Sequence, residues 1–276
     1  MGQFQDRVAV ITGGASGIGR AVGELLAKQG AQVVLADVQQ ELGEQVAAAI
    51  RDAGGRAEMH RLDVTDRDAV SALLHDVRQR LGSLDLVFNN AGINVFGELR
   101  DTTMAQWDAL IDVNIKGVVY GAHEAYAIMR EQGHGHIINT ASVAGLVPPP
   151  CEGAYGATKH AVVCLSIAMR AEARAFGVNV SAVCPGVIGT PMVDTGTYNN
   201  VDKDDLMALA GGQSRLYPVD RAARVILKGV RRNRGIITVT AMARIAWWVW
   251  RLMPEMLSLL TQPLIRRLRS MRSAPG

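Results

Sequence analysis

The sequence predicts an α/β fold in which a doubly wound, seven-stranded parallel sheet carries helices on both faces. Short β-branched and apolar runs alternate along the chain with longer segments of helical periodicity, as in a parallel sheet covered on both sides. The strand-like runs lie at 8–12, 32–37, 56–62, 85–89, 135–140, 178–184 and 236–239. No repeat, low-complexity stretch or linker interrupts them, so residues 1–240 are expected to form a single domain.

The composition is that of a globular chain, because 49% of the 276 residues are apolar and 20% are charged. The net charge of +3 is unevenly distributed: residues 241–276 carry six arginines and one glutamate, a charge of +5, which leaves −2 for the remainder. Residues 1–240 therefore lack the net positive charge that is typical of a nucleic-acid-binding domain, and no nucleic-acid partner is expected.

The cysteines Cys151, Cys164 and Cys184 form no CxxC pair and are odd in number. Neither a disulfide framework nor a metal site is therefore expected. Residues 1–7 lead directly into the first strand-like run without the apolar core of a signal peptide. These observations predict a protein of the reducing cytoplasm.

A glycine-rich sequence, TGGASGIG at 12–19, joins the first strand-like run to a helical segment at 20–29. Gly13, Gly17 and Gly19 permit a tight turn, close approach of the backbone to a pyrophosphate, and close helix packing. The anion would then lie at the helix N-terminus. Such a turn also occurs for purely structural reasons, but its place between a strand and a helix favours dinucleotide binding.

Asp37 ends the second strand about 20 residues after the glycines, where an acid can accept hydrogen bonds from the ribose 2′-OH of NAD. The same carboxylate would repel the 2′-phosphate of NADP, and neither Ser16 nor Val38 is basic. NAD is therefore predicted over NADP; the alternative is a solvated carboxylate at a strand end. Asp63 could bind the adenine amino group or cap the next helix, and both roles stay open.

Polar residues follow two later strands. NNAG at 89–92 follows the fourth strand, where small residues would let the chain pass close to a cofactor, and Asn90 is expected to link the central strands through its amide. Asn114 lies within a helical run at 104–129, where an asparagine is mildly unfavourable and should have a compensating role. Ser142 follows the fifth strand, whose carboxyl end faces the ligand crevice of a parallel sheet.

Tyr155 and Lys159 lie four residues apart in a helical run at 153–172 and so share a helix face. A nearby ammonium favours the phenolate, so Lys159 is expected to lower the pKa of Tyr155 from about 10 towards the working pH. Such a phenol can exchange a proton with an alcohol or a ketone as hydride moves. Tyr and Lys at this spacing are usually only a surface pair, but the accompanying motifs favour a function.

These motifs together resemble the short-chain dehydrogenase/reductases, NAD(P)-dependent enzymes built on a single Rossmann domain. The resemblance spans about residues 5–240 and implies hydride transfer between a secondary alcohol or ketone and the nicotinamide. The matching residues are TGGASGIG at 12–19, NNAG at 89–92, Asn114, Ser142, YGATK at 155–159 and PGVIGTPM at 185–192.

The resemblance implies a catalytic tetrad. Tyr155 would be the acid/base, and Ser142 would orient the substrate oxygen. Lys159 would bind the nicotinamide ribose as well as tune the phenol, and Asn114 would hold a water in a proton relay to Lys159. The implied cofactor-binding residues are Gly13, Ser16, Gly17, Ile18, Gly19, Asp37, Asp63, Val64, Asn90, Ala91, Gly92, Tyr155, Lys159, Pro185, Gly186, Val187, Ile188 and Thr190.

Two other functions remain as alternatives. A non-catalytic nucleotide-binding or regulatory protein of the same fold would be expected to lose Tyr155, Lys159 or Ser142, all of which this chain keeps. An epimerase or dehydratase of nucleotide sugars would usually have a longer substrate domain and a different glycine turn.

The substrate site is expected to be apolar. Three prolines at 148–150 stiffen a wall that carries almost no charge, and residues 193–217 would form a lid. We therefore expect a steroid, terpenoid or other lipid-like alcohol or ketone. The predicted substrate contacts are Ser142, Val143, Val147, Tyr155, Val187 and Met192.

Residues 241–276 form a basic amphipathic extension where many family members end in a short segment that packs a tetramer. A homodimer or homotetramer is expected. In a helix, Arg244 and Arg251 would share one face, and an apolar face would hold Ile245, Trp248, Val249 and Leu252. Tryptophan beside arginine is typical of an interfacial helix, so peripheral membrane contact is one expectation. Packing over the substrate cleft or a neighbouring subunit is the other.

Overall fold

The computed structural model describes residues 4–205 and 216–270. Expectations for residues 1–3, for 206–215 in the predicted lid and for 271–276 in the extension lie outside the described residues. The strands are β1 (Val8–Thr12), β2 (Gln32–Asp37), β3 (Arg56–Arg61), β4 (Leu86–Asn89), β5 (Val95–Phe96), β6 (Gly135–Thr140), β7 (Val178–Cys184), β8 (Thr197–Tyr198) and β9 (Ile236–Thr238).

Seven of these described strands form one parallel sheet in the order β3-β2-β1-β4-β6-β7-β9, while β5 and β8 pair separately. The chain first moves outward from β1 to β3 and then returns to the centre and moves to the other edge. The predicted doubly wound sheet is therefore confirmed. Its direction of winding reverses between β1 and β4, which opens a crevice at the carboxyl ends of these strands.

The helices connect successive strands and cover both faces of the sheet. They are α1 (Gly17–Lys28), α2 (Gln40–Asp52), α3 (Arg67–Leu81), α4 (Met104–Ile111), α5 (Gly117–Gln132), α6 (Gly153–Ala173), α7 (Met192–Thr195), α8 (Val219–Arg231), α9 (Ala241–Leu252) and α10 (Pro254–Ser270). None of these described helices combines the length and apolar character needed to cross a bilayer.

The core consists of two apolar layers, one on each face of the sheet, because side chains alternate between the two faces along each strand. Ile11 and Leu35 pack with Ile226 of α8 on one face, while Val10 and Val34 belong to a separate cluster on the other face, with residues of α3 and α5. Successive side chains of a strand point to opposite faces, so a fully buried parallel sheet needs apolar residues at consecutive positions. Each such side chain contributes about 1.5–3 kcal/mol when fully buried.

The prediction of one continuous helical run at 104–129 is wrong in one respect, because the α-helix is interrupted. A π-helical turn, Asp112–Lys116, separates α4 from α5, and Asn114 lies within that turn. The wider turn accompanies the side-chain bonds of Asn114 to a neighbouring loop, as described below. Turns of this kind often occur at functional sites.

Candidate active site

The glycine-rich turn after β1 has the backbone geometry that only glycine adopts easily. Gly13 and Gly17 have φ values of 65° and 52°. A methyl group on Gly13 would lie 2.9 Å from the Cα of Ala91, and one on Gly19 would overlap the carbonyl oxygen of Gly13. The side chain of Ser16 makes no capping bond at the N-terminus of α1. These features leave room for an anion at the first turn of α1.

Asp37 joins this turn to the end of β2. Its two carboxylate oxygens accept hydrogen bonds from the backbone N–H of Ala15 and of Gln39, each at 3.1 Å. The residue is 7% exposed, so it is not the solvated carboxylate of the alternative interpretation. Each oxygen retains a second lone pair that could accept a ribose hydroxyl.

Asn90 links three strands at the crevice, as its sequence position predicted. Its Nδ2 donates to the carbonyl oxygens of Thr12 at 3.1 Å and Gly13 at 3.3 Å, while its Oδ1 accepts from the Thr140 hydroxyl at 3.2 Å. The Thr12 hydroxyl in turn accepts from the backbone N–H of Asn90 and Ala91. This network fixes the ends of β1, β4 and β6 around the glycine-rich turn.

The fully buried Asn114 binds the segment that follows β4. Its Oδ1 accepts from Ile93 N at 2.9 Å, and its Nδ2 donates to Ile93 O at 3.0 Å and to the Thr158 hydroxyl at 3.2 Å. These bonds are the compensating role expected of an asparagine within a helical run. They connect the π-helical turn to α6, which carries Tyr155.

Tyr155, Lys159 and Ser142 meet at the carboxyl end of β6. Tyr155 is 7% exposed, and Lys159 is 2% exposed with its Nζ 5.6 Å from the centre of the phenol ring. Lys159 Nζ also donates to the carbonyl oxygen of Thr140 at 3.1 Å. The Ser142 hydroxyl accepts from Ala144 N at 3.1 Å and is close enough to the phenol to act on its pKa.

The expectation that Lys159 lowers the pKa of Tyr155 is wrong for this structure. Burial and then the charge of Glu152 raise the pKa of Tyr155 above its usual value, and the hydrogen bond with Ser142 opposes them. Burial also lowers the pKa of Lys159 to about 8. Lys159 therefore does not set the direction in which the pKa of Tyr155 moves.

Gly92 borders the space between two members of the predicted tetrad. A methyl group built on Gly92 would lie 3.0 Å from Asn114 Oδ1 and 3.3 Å from Lys159 Nζ. An acceptor and a donor therefore face the same small volume. That arrangement suits one water molecule hydrogen-bonded to both groups.

The segment after β7 folds back over the glycine-rich turn. Val143 N donates to Pro185 O at 2.7 Å, and a methyl group on Gly17 would approach the Thr190 side chain at 3.3 Å. The side chain of Val187 is half exposed at the crevice, whereas the Ile188 side chain is buried in the core. Ile188 can therefore offer a ligand its backbone more readily than its side chain. Pro185 and Gly186 lie in the same segment.

The two roles left open for Asp63 are separated by the structure. Helix α3 is capped by Asp66, whose carboxylate accepts from Ala69 N at 3.0 Å. Asp63 instead accepts from the N–H and hydroxyl of Thr65 at 2.9 and 2.8 Å in an exposed turn, next to the buried Val64. Asp63 is thus not the helix cap, and contact with an adenine amino group remains a prediction.

The family model for short chain dehydrogenases matches residues 7–200. The chain belongs to the short chain dehydrogenase family. A cyclopentanol dehydrogenase of a Comamonas species is 38% identical over 192 residues, which cover 70% of this chain and 77% of that protein. A solved short chain dehydrogenase/reductase from Burkholderia phymatum in complex with NAD is 31% identical, with a TM-score of 0.82 over 93% of this chain and 97% of that one.

A longer relative matches this chain over only part of its own length. The probable oxidoreductase EphD of Mycobacterium tuberculosis is 33% identical over 264 residues, covering 93% of this short chain dehydrogenase. The chain spans only 45% of the length of EphD, a fraction shared by the first curated relatives that it matches. The likeness to EphD thus concerns one part of that protein.

Sequence reasoning missed a polar pair beside the candidate site. Glu152 Oε1 accepts from Asn94 Nδ2 at 2.8 Å, and burial raises the pKa of Glu152 to about 7. Glu152 is part-buried, and the Oδ1 of Asn94 is buried without a hydrogen-bond partner. An acidic residue three positions before Tyr155 was the only signal available in the sequence. A carboxyl group therefore follows the predicted apolar wall closely in the chain.

The predicted substrate residues lie on more than one element. Val143 belongs to the short turn after Ser142, and Met192 begins α7. Val147 and Trp247 of α9 both pack against the buried cluster that contains Leu146. Helix α9 therefore packs against the same cluster as part of the predicted wall.

Proposed function

We propose that this chain is an NAD-dependent dehydrogenase that interconverts a secondary alcohol and its ketone, with Tyr155 as the acid/base. The observation that carries the proposal is the grouping of Tyr155, Lys159 and Ser142 at the end of β6, beside the glycine-rich turn after β1. Membership of the short chain dehydrogenase family supports the same reaction class.

The residues around the turn fit a dinucleotide. The glycine-rich turn and the N-terminus of α1 would hold the pyrophosphate, because the side chain of Ser16 does not cap the first backbone N–H groups of the helix. Asp37 would accept hydrogen bonds from the adenosine ribose, and Lys159 would bind the nicotinamide ribose. Bound NAD supplies the nicotinamide ring that accepts the hydride. The complex of the Burkholderia relative with NAD supports this choice of cofactor.

Proton transfer would belong to Tyr155. During oxidation it takes the alcohol proton, and during reduction it returns one to the ketone oxygen. The Ser142 hydroxyl would donate to the same oxygen and stabilise its growing negative charge. Asn114 Oδ1 and Lys159 Nζ, which both border Gly92, would hold a water that relays the proton. The raised pKa of Tyr155 favours the neutral phenol, so alcohol oxidation should accelerate towards alkaline pH.

The substrate would be an apolar secondary alcohol or ketone. Val143, Val147, Val187 and Met192 would supply an apolar surface. The likeness to a cyclopentanol dehydrogenase supports alicyclic alcohols as the first compounds to examine, before larger steroid- or terpenoid-like ones. Glu152 adds a single polar group that could accept a hydrogen bond from a second hydroxyl of the substrate.

The test is a screen of secondary alcohols with NAD and with NADP, followed by absorbance of the reduced nicotinamide. We expect turnover with cyclic and other apolar alcohols, faster with NAD, and about a hundredfold slower or more in Tyr155→Phe. Full activity in that variant would remove Tyr155 from the reaction. NAD binding without turnover of any alcohol or ketone would favour a non-catalytic nucleotide-binding protein.

A further inference from the structure

The C-terminal helices lie against the body through one face of α9. Thr240 caps this helix by accepting a hydrogen bond from Ala243 N at 3.1 Å. Ala243 is 3% exposed, and Trp247 packs on the buried cluster that contains Leu146. This inner face therefore has a partner within the chain.

The opposite face of α9 is apolar and exposed. Met242, Ile245, Trp248 and Leu252 follow one another at spacings of three or four residues, which places them in one stripe of the helix. Their exposed fractions range from 51% to 74%. Met253 and Leu259 continue the exposed apolar surface into α10. We call these six residues the outer stripe.

Positive charge lies along the outer stripe. Arg244, Arg251, Arg266 and Arg267 are all exposed. The guanidinium of Arg251 lies over the rings of Trp247 and Trp248, 5.5 and 5.7 Å from their centres. Residues 241–276 carry a net charge of +5, while the rest of the chain carries −2. The basic charge of the protein is thus concentrated beside its exposed apolar stripe.

The end of α10 is fixed to the body. Arg269 forms a bidentate ion pair with Glu98, in which Nε donates to Oε1 at 3.1 Å and Nη2 donates to Oε2 at 2.7 Å, and the neighbouring Leu268 is buried. Such a fork-shaped pair fixes geometry as well as adding attraction. The two C-terminal helices are therefore held at both ends, and the outer stripe is presented on a preformed surface.

We propose that the outer stripe and its arginines dock this protein on the surface of an anionic lipid bilayer. Trp, Met, Ile and Leu side chains would enter the boundary between headgroups and acyl chains, and the arginines would bind the anionic headgroups. A second copy of the chain fits less well, because a two-fold contact through this stripe would bring the arginines of both copies together. The proposal does not depend on the reaction catalysed.

The test is flotation of the full chain with vesicles of phosphatidylcholine, alone or with phosphatidylserine as one lipid in four. We expect the protein to float with the anionic vesicles, and less as salt rises. Trp248→Ser/Leu252→Ser should lower the floated fraction at least fivefold, and Arg244→Gln/Arg266→Gln should lower it on anionic vesicles. All four residues are exposed, so neither variant should change the midpoint of thermal unfolding.

Met104→Ser is the matched control, because Met104 is 72% exposed on the body and Leu252 is 74% exposed in the outer stripe. The control should float like the unchanged protein. Equal flotation of the Trp248→Ser/Leu252→Ser variant and the control would overturn the proposal. A second result would also overturn it: the unchanged protein sediments as a dimer and the Trp248→Ser/Leu252→Ser variant as a monomer, while both float equally. The outer stripe would then join two copies of the chain.

Discussion

Glu152 and Tyr155 stand three positions apart at the start of α6, and the charge of Glu152 is the largest cause after burial that raises the pKa of the Tyr155 phenol. Burial raises the pKa of Glu152 itself to about 7. Glu152 is therefore divided between its charged and neutral forms at neutral pH, and its protonation state changes the acidity of the proposed acid/base.

Glu152→Gln should move the pH dependence of alcohol oxidation. The amide removes the charge but keeps an oxygen that can accept from Asn94 Nδ2. Without that charge the pKa of Tyr155 falls, so the rising limb of kcat/KM against pH should move to lower pH. Steady-state oxidation of one alcohol across the pH range measures the shift. Glu41→Gln, an exposed site on α2, is the control and should leave the limb unchanged.

Glu152→Gln should also raise the free energy of unfolding near neutral pH. The pKa of Glu152 is about 7 in the folded chain against a usual value of 4.5, so the folded state binds more protons between these limits. The contribution of the Glu152 carboxyl group to the free energy of unfolding is therefore fully present below about pH 4.5 and is lost as pH rises towards about 7. Relative to the unchanged protein, Glu152→Gln should gain stability between about pH 5 and pH 8 in urea unfolding. A constant difference between the two proteins would contradict the raised pKa.

The sheet and the positions of the site residues could be predicted because they depend on local patterns. Each β-branched run became a strand within a residue or two of its predicted ends, and Tyr155 and Lys159 share a face because the helix repeat requires it. The glycine-rich turn was predictable for the same reason, since the conformations of Gly13 and Gly17 belong to the backbone itself.

What the sequence did not predict depends on contacts between distant segments. The hydrogen bond of Glu152 joins residues that are 58 positions apart, and nothing local to either residue indicates the pair. The pKa of Tyr155 was predicted with the wrong sign because Lys159 is visible four residues away, whereas burial by Val95 and Leu110 is a tertiary property. The π-helical turn likewise depends on the bonds of Asn114 to Ile93.

Gly92→Ala should weaken catalysis without unfolding the protein. The added methyl group would lie 3.0 Å from Asn114 Oδ1 and 3.3 Å from Lys159 Nζ, so both must shift by a few tenths of an ångström and the proposed water is displaced. We expect kcat to fall about tenfold, the scale of a small misplacement of reacting groups, with little change in Tm. Gly189→Ala is the control, because its methyl group would have no neighbour closer than 3.6 Å. Equal loss in both variants would argue against a relay beside Gly92.

Asp37→Ala should weaken the preference for NAD over NADP. Hydrogen bonds to a charged group are worth about 1.5–3 kcal/mol, so the ratio of the two kcat/KM values should fall by about tenfold or more. Stability should fall as well, because Ala15 N and Gln39 N lose their acceptor. Asp37→Asn keeps an acceptor without the charge and separates the two effects. An unchanged cofactor preference in both variants would mean that another group reads the ribose.

Tyr155→Phe removes the phenol oxygen and leaves the ring that packs with Val95 and Leu110. Calorimetric titration should therefore show NAD binding close to that of the unchanged protein, while turnover falls by about a hundredfold or more, the scale of a lost acid/base group. Tyr126→Phe is the matched control, since that ring packs edge-on against Phe176 and should keep full turnover. Because the residual rate of Tyr155→Phe lacks the titrating phenol, it should also lose the rise towards alkaline pH. A residual rate that still rose with pH would assign that titration to a different group.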